Sequence, residues 1–261
     1  MTLHSESRGS GDIPLVCLHG WGLNLRVFDA LADDVANDPA GGREVIAIDL
    51  PGHGASPWDD SRASLAAQAE WIAASLPDRC ALLGWSLGGQ LALHIAHRWP
   101  QHVTKLVLVA TTPRFVADAQ WTAGMAPVVM QRFADQLARD WHATVEAFLQ
   151  LQVRGSRDAT AALAALQSAL QEHGEAQPQA LAAGLDILRD ADLRARVCEI
   201  ATDTLVLSGQ HDRITPPDAS VWLATQLPRA RHVLLPRAGH APFLSHAADF
   251  TDALHAFLDA A

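Results

Sequence analysis

The sequence predicts an α/β protein with a mostly parallel, doubly wound sheet and a helical lid inserted after the sixth strand. Short apolar runs recur along the chain, each ending in Gly, Asp or Pro, and helical stretches alternate with them. Continuous apolar runs are typical of strands that are buried on both faces of a parallel sheet. Regular strand–helix alternation is typical of doubly wound folds.

Six apolar runs predict strands, and five intervening stretches predict helices. The strands cover residues 15–18, 45–48, 81–83, 103–109, 204–207 and 233–235. The helices cover residues 26–36, 64–75, 87–99, 218–226 and 247–259.

The alternation stops for about ninety residues, where helical composition dominates. We interpret residues 113–200, called the lid below, as an insertion over the edge at which the strands end, where open α/β sheets bind ligands. The alternative is a separate helical domain, but the return to a strand at Thr204 favours an insertion. The prediction is therefore one structural domain, with a core of residues 1–112 and 201–261.

Composition excludes several classes of protein. The 261 residues include 29 acidic and 19 basic side chains, and the net charge is −10, which disfavours nucleic acid and anionic membranes as partners. The three cysteines are odd in number and far apart, so we expect reduced, buried thiols rather than a disulfide framework. No signal segment or membrane-length apolar run is present, which predicts a cytoplasmic protein, and nothing demands more than a monomer.

The strongest motif is Gly84-Trp85-Ser86-Leu87-Gly88-Gly89, which lies between a predicted strand and a predicted helix. Strand, G-x-S-x-G and helix together are typical of a nucleophile elbow, where a sharp turn exposes the serine hydroxyl. The alternative is a Gly-Ser loop that caps an ordinary helix. We predict that Ser86 is a nucleophile.

A serine hydroxyl needs a base, and the base needs an orienting carboxylate. His240 follows the last predicted strand in a glycine-flanked loop, and we favour it over the twelve other histidines. Asp212 follows the strand before it and is the predicted acid. The other candidates are weaker: Asp203 precedes its strand, Asp218 is placed to cap a helix, and Asp49 is placed to form a turn.

The segment His19-Gly20-Trp21-Gly22 follows the first buried strand and predicts an oxyanion hole. The backbone amides of Trp21 and Leu87 are the candidate donors for the oxyanion of an acyl-transfer reaction. We expect His19 to brace this loop. No cofactor fingerprint is present, and neither His19 with His53 nor His94 with His97 has the accompanying ligands of a metal site, so we expect no cofactor and no metal.

Together these segments resemble the α/β-hydrolase family, from Pro14 to about Leu258, and within it the pimeloyl-acyl-carrier-protein methyl ester esterases of biotin synthesis. The resemblance is carried by residues 18–24, 83–89 and 238–246 and by the lid segment 144–152, Thr-Val-Glu-Ala-Phe-Leu-Gln-Leu-Gln. It implies Ser86, Asp212 and His240 as the catalytic residues and hydrolysis of a methyl ester. It further implies a substrate-binding set: Trp21, Ser86, Leu87, Phe148, Leu149, Gln150, Leu151, Gln152 and His240.

The resemblance also implies an acidic acyl-carrier protein as partner, and here the chain departs from the family pattern. Ala143, Ala147, Thr160 and Ala164 stand where docking arginines are expected. Arg139, Arg154 and Arg157 could form a displaced cationic patch, or could be ordinary solvated side chains. Residues 113–157 hold five arginines against four acids, so the first half of the lid is slightly cationic in an acidic chain.

Two other functions stay open at this point. The same residues would suit a general short-chain esterase, a lactone hydrolase or a carbon–carbon bond hydrolase. A hydrolase-like fold could also serve as a ligand receptor without catalytic turnover.

Overall fold

The computed structural model describes residues 1–39 and 41–260, so the final position of the predicted core, residue 261, lies outside the described residues. Seven strands form one sheet in the order β1-β3-β2-β4-β5-β6-β7. Their bounds are β1 Ser5–Arg8, β2 Leu15–Leu18, β3 Val45–Ile48, β4 Cys80–Trp85, β5 Val103–Val109, β6 Thr204–Gly209 and β7 Ala230–Leu235. Only β1 is antiparallel to its neighbour, which confirms the mostly parallel sheet.

Eleven α-helices are seen in the described residues. Those of the core are α1 Asp29–Ala36, α2 Leu65–Ala73, α3 Leu87–Arg98, α9 Pro217–Gln226, α10 Pro242–Ser245 and α11 Ala247–Leu258. The other five lie between β5 and β6: α4 Pro127–Arg139, α5 Trp141–Val153, α6 Ala159–His173, α7 Pro178–Asp190 and α8 Arg194–Val197. All six predicted strands and all five predicted helices are present, with small shifts at their ends.

The sheet is wound in both directions from β2. The chain moves from β2 to β3 on one side through α1, and then crosses back to β4 through α2. Because such crossovers are right-handed, α1 and α2 lie on opposite faces of the sheet. In agreement, α1 packs with α11 and α2 packs with α3. Strands β2 and β4 at the centre are buried throughout.

The prediction that the lid follows the sixth strand was wrong. The helices of the insertion follow the fifth strand in chain order, not the sixth, because the segment ahead of β2 forms one four-residue strand. That strand, β1, was not predicted because Ser-Glu-Ser-Arg carries no apolar side chain. It pairs as an exposed edge strand. The lid boundaries at residues 113 and 200 stay a prediction.

Cysteine burial was predicted for all three thiols and holds for two. Cys17 and Cys80 lie inside β2 and β4, whereas Cys198, directly after α8, is exposed. All three are free. None of the helices in the described residues is both long enough and apolar enough to cross a bilayer.

Candidate active site

The predicted site residues come from the ends of four parallel strands. Trp21 follows β2, Ser86 follows β4, Asp212 follows β6 and His240 follows β7. Because these strands are parallel, their carboxyl ends meet at one edge of the sheet, which is where open α/β sheets place ligands.

Ser86 occupies a strained turn between β4 and α3. Its φ of 56° and ψ of −116° lie in the region that side chains rarely adopt. The turn depends on glycine, because a Cβ on Gly88 would collide with the carbonyl oxygen of Leu18. The Thr111 hydroxyl donates a 2.7 Å hydrogen bond to the Ser86 carbonyl and holds the turn against β5. This geometry matches the predicted nucleophile elbow.

His240 and Asp212 form a buried pair. The His240 Nδ1 lies 2.8 Å from Asp212 Oδ2, and both side chains are fully buried. Because an ionised carboxylate only accepts, Nδ1 carries the proton and Nε2 is left as the basic nitrogen. This Nε2 is buried and has no hydrogen-bond partner in the described part of the chain. It is the nitrogen that a general base would use.

Trp85, a residue that sequence reasoning missed, ties the histidine loop to the elbow. Its indole Nε1 donates a 2.8 Å hydrogen bond to the His240 carbonyl, and its ring lies 5.7 Å from the imidazole ring, centroid to centroid. Since Trp85 directly precedes Ser86, this contact brings the His240 loop to the nucleophile. The sequence signal that could have indicated this role is the position of Trp85 inside the elbow motif, next to Ser86.

Thr215 is a second missed residue. The carboxylate of Asp212 accepts four hydrogen bonds, and Thr215 supplies two of them. Its amide donates to Oδ1 at 2.9 Å, and its hydroxyl donates to Oδ2 at 2.7 Å, on the same oxygen that faces His240. The others come from the Ile214 amide and from His240. Charge-assisted bonds of this kind fix the carboxylate orientation.

The predicted oxyanion loop lies against the nucleophile. A Cβ on Gly20 would sit 3.4 Å from the Cβ of Ser86, so residues 19–22 pack directly on the elbow. Among the described residues, the amides of Trp21 and Leu87 donate to no protein acceptor. Free amides at the helix α3 N-terminus and in this loop suit a developing oxyanion.

Two buried histidines brace this loop. His19 Nδ1 donates to the Gly20 carbonyl at 2.8 Å and its Nε2 accepts from the Leu50 amide at 2.9 Å, as predicted for a bracing role. His53 Nε2 accepts from the Gly22 amide at 3.3 Å. Burial lowers the pKa of His19 and lowers that of His53 to about 3, so both rings are neutral acceptors at neutral pH.

The lid closes over Trp21. The Trp21 indole donates a 2.8 Å hydrogen bond to the Leu181 carbonyl in α7, and its ring packs edge-on against Phe133 and Phe148. Gly184 permits the close approach of α7, because a Cβ there would lie 2.8 Å from the Trp21 ring. Beside Trp21 lies a narrow cavity of about 60 Å³, lined by apolar side chains: Trp21, Phe115, Met125, Val129, Met130, Phe133, Phe148, Leu151, Leu185 and Leu188.

The implied substrate-binding segment of α5 is divided between two faces of the helix. Phe148 and Leu151 line the cavity, whereas Leu149 is buried elsewhere and Gln150 is exposed. The prediction that all of residues 148–152 line a channel was therefore wrong, because consecutive residues of a helix point in different directions. Gln152 is buried, and its carbonyl accepts a 2.9 Å hydrogen bond from the His240 amide.

The three candidate docking arginines lie on the surface of the lid. Arg139 ends α4 and Arg154 follows α5, and both are exposed. Arg157 is also exposed and pairs with Asp158 at 3.1 Å.

One His/Asp cluster with ligand-like spacing, His4, Asp49 and His173, contains none of the candidate catalytic residues.

Comparisons with known proteins agree with this geometry. A model of the alpha/beta hydrolase fold matches residues 13–247. The chain belongs to the α/β-hydrolase family. This membership confirms the resemblance found in the sequence.

Two relatives match this α/β hydrolase over almost its full length. A protein of Nitrosomonas europaea named pimeloyl-[acyl-carrier protein] methyl ester esterase is 42% identical over 255 residues, which cover 98% of this chain and 99% of the relative. A protein of Chromobacterium violaceum with the same name is 42% identical over 259 residues, 99% of each chain.

Solved structures support the fold. An esterase from Exiguobacterium antarcticum superposes with a TM-score of 0.89 at 23% identity, over 99% of this chain and 96% of its own. An enol-lactonase from Burkholderia xenovorans superposes with a TM-score of 0.83 at 22% identity, over 99% and 96%. At this identity the likeness concerns the fold alone.

Proposed function

We propose that this α/β hydrolase is a serine carboxylesterase that hydrolyses the methyl ester of pimeloyl-acyl-carrier protein, giving methanol and pimeloyl-acyl-carrier protein for biotin synthesis. The observation that carries the proposal is the buried His240–Asp212 pair, whose free Nε2 lies in the loop tied to the Ser86 elbow. The names of the full-length relatives support the choice of substrate.

The reaction follows from the roles of these groups. His240 Nε2 takes the proton of Ser86 as its oxygen attacks the ester carbonyl, while Asp212 stabilises the imidazolium. The amides of Trp21 and Leu87 donate to the oxyanion. His240 then protonates the leaving methoxide, methanol departs, and water activated by the same imidazole hydrolyses the acyl-enzyme. No cofactor enters these steps.

The cavity beside Trp21 favours an uncharged acyl chain. Its lining carries no charged side chain and the only polar group, the Trp21 indole N–H, is bonded to Leu181. A carboxylate moved into such surroundings would be strongly destabilised without a partner. A methylene chain between an ester and a thioester meets this requirement, because neither end is ionised.

The carrier protein is the proposed partner, and the exposed lid arginines Arg139, Arg154 and Arg157 are its proposed docking groups. Arginine suits carboxylate-rich surfaces because its guanidinium can donate two parallel hydrogen bonds. We further propose that the protein acts as a monomer in the cytoplasm, without nucleic-acid or membrane partners.

Substrate choice can be tested directly. Methyl pimeloyl-acyl-carrier protein, the matching pantetheine thioester and a series of p-nitrophenyl esters should be compared by kcat/KM, with Ser86→Ala as the blank. We expect methanol release from the pimeloyl substrates and rescue of a biotin auxotroph that lacks the esterase. Efficient turnover of p-nitrophenyl esters alone would indicate a general esterase, and failure of a fluorophosphonate probe to label Ser86 would favour a receptor.

Docking needs a separate test. Charge reversal of Arg154 and Arg157 together should raise KM for the carrier-linked substrate by about tenfold, an effect of about 1.4 kcal/mol. The pantetheine thioester should be hydrolysed as by wild type. Charge reversal of Arg79 and Arg98 together is the matched control, because both are exposed and lie at the ends of β4 and α3 that are away from Ser86. An equal change in this control would show that only net charge matters.

A further inference from the structure

Three residues far apart in the chain meet where the amino terminus, the core and the lid come together. They are His4 before β1, Asp49 directly after β3 and His173 at the end of α6. One ring nitrogen of each histidine and a carboxylate oxygen of Asp49 all lie within 4.8 Å of one another. The sequence did not predict a metal site here because nothing local connects these positions.

The three backbones are fixed by hydrogen bonds. The Asp49 amide donates to the His4 carbonyl at 3.0 Å, and the His4 amide donates to Ser56 Oγ at 2.9 Å. Asn24 holds the end of α6 through 2.8 and 2.9 Å bonds to the carbonyls of Ala169 and Gly174. The backbones that carry the three side chains are therefore held together by the fold.

One side chain of the cluster has an unpartnered ring nitrogen, and the other two are paired with each other. Asp49 is fully buried; its Oδ1 accepts from the Leu25 amide, and its Oδ2 accepts from the Ala55 amide and lies 2.7 Å from His173 Nε2. The Nε2 of His4 is buried without a hydrogen-bond partner in the described chain. The Glu6 carboxylate lies 3.5 Å from it and is engaged by Arg26.

We propose that His4, Asp49 and His173 form a binding site for Zn²⁺ or a related divalent transition metal. Two imidazole nitrogens and one carboxylate oxygen are a donor set that zinc accepts, whereas calcium and magnesium prefer oxygen ligands alone. The ion would replace the proton between Asp49 Oδ2 and His173 Nε2, and that separation would widen from 2.7 Å to about 3.3 Å. The His4 side chain is about one-third exposed, so the proposed site lies close to the surface.

A bound ion would join the amino-terminal segment and lid helix α6 to the core. This site contains none of the candidate catalytic residues, so the proposal is independent of the esterase reaction. The full chain should be stripped with a chelator and titrated with Zn²⁺ by calorimetry and with Co²⁺ by visible spectroscopy. We expect one ion per chain, tetrahedral cobalt bands, and a melting temperature raised by about 5–10 °C at free zinc near a hundred times Kd.

Substitutions of the proposed ligands test where the ion binds. His4→Gln leaves the His173–Asp49 pair in place and should weaken binding by at least about tenfold, and His173→Gln should do the same. His97→Gln is the matched control, because His97 pairs with Glu199 at 2.8 Å but belongs to no three-ligand cluster of the described residues. If His173→Gln does not fold, His4→Gln still tests the site.

Three outcomes would overturn the proposal: no stoichiometric binding to the wild-type chain, binding unchanged in His4→Gln, or loss of binding in His240→Gln, which would place the ion at the catalytic histidine. An unchanged melting temperature in the presence of bound zinc would refute the proposal that the ion joins the lid to the core.

Discussion

Two buried carboxylate–histidine pairs lie at the same edge of the sheet and differ in what surrounds the imidazole. Asp212 and His240 are 2.8 Å apart, and Asp49 and His173 are 2.7 Å apart. Both carboxylates are fully buried and accept backbone amides as well as the histidine. By the pair alone they would be hard to tell apart.

The two pairs differ in the groups that surround the histidine ring. The His240 loop is bonded to the residue before Ser86, and its Nε2 is free. His173 ends lid helix α6 and packs beside the ring of His4. The serine next to this pair, Ser56, donates its hydroxyl to the Asp49 carbonyl at 2.7 Å. A buried Asp–His pair therefore does not by itself indicate a general base; a free second ring nitrogen, in a loop bonded to the residue before a candidate nucleophile, is also needed.

The largest expected effect is at the nucleophile. Ser86→Ala should lower kcat on a short p-nitrophenyl ester by about 10⁴–10⁶, because nothing else can form the acyl-enzyme. Thermal unfolding should be little changed, since the serine hydroxyl makes no hydrogen bond to the described chain. Turnover above a tenth of wild type would remove Ser86 from the mechanism.

The same substitution in both carboxylates should separate their roles. Asp212→Asn should lower kcat by about 10⁴, because the histidine loses its orienting charge. Asp49→Asn should instead lower the free energy of unfolding by about 2–3 kcal/mol and leave kcat within about tenfold. Esterase assays and urea unfolding of both variants test these two roles. A large loss of kcat in Asp49→Asn would show that Asp49 also serves the reaction.

A smaller effect is expected at Thr215, which serves only the catalytic pair. Thr215→Val keeps the shape but removes the bond to Asp212 Oδ2, so kcat should fall about ten- to a hundredfold while KM changes little. Thr215→Ser restores the hydroxyl and should recover most of the rate. Equal rates in the two variants would assign Thr215 a packing role.

The smallest effect concerns His53, one of the two buried histidines that brace the loop of residues 19–22. Burial holds the pKa of His53 at about 3, well below its ordinary value near 6.5. Below pH 6.5 the unfolded chain therefore binds a proton that the folded chain does not, and stability is lost as pH falls toward 3. Urea unfolding should show His53 contributing a slope of about 1.4 kcal/mol per pH unit, which His53→Gln removes. An unchanged slope in that variant would contradict this assignment.

The sequence predicts best what is determined locally. The elbow is recognisable because all its determinants lie within six residues between an apolar run and a helix. The pairing of Asp212 with His240 was predictable because each follows a strand of the parallel sheet, and parallel strands bring such positions together.

Features that depend on packing between distant elements were not predictable. Which faces of α5 line the cavity is set by how the lid lies on Trp21, so Leu149 and Gln150 were misplaced. Asp49 appeared to be a turn residue because its partner His173 is 124 positions away. The polar edge strand β1 exists because it pairs with β3, not because of its own composition.

The junction at the end of α5 bears on attempts to exchange lids between relatives. The Gln152 carbonyl holds the His240 amide, Ser156 Oγ holds the Gly239 amide at 2.9 Å, and the Gly155 carbonyl holds His211 at 2.8 Å. A foreign lid grafted only at residues 113 and 200 would leave these positions unmatched and would displace His240. The stretch from α5 to Ser156 and the loops that carry Asp212 and His240 therefore form one module, which recombination should transfer as a unit.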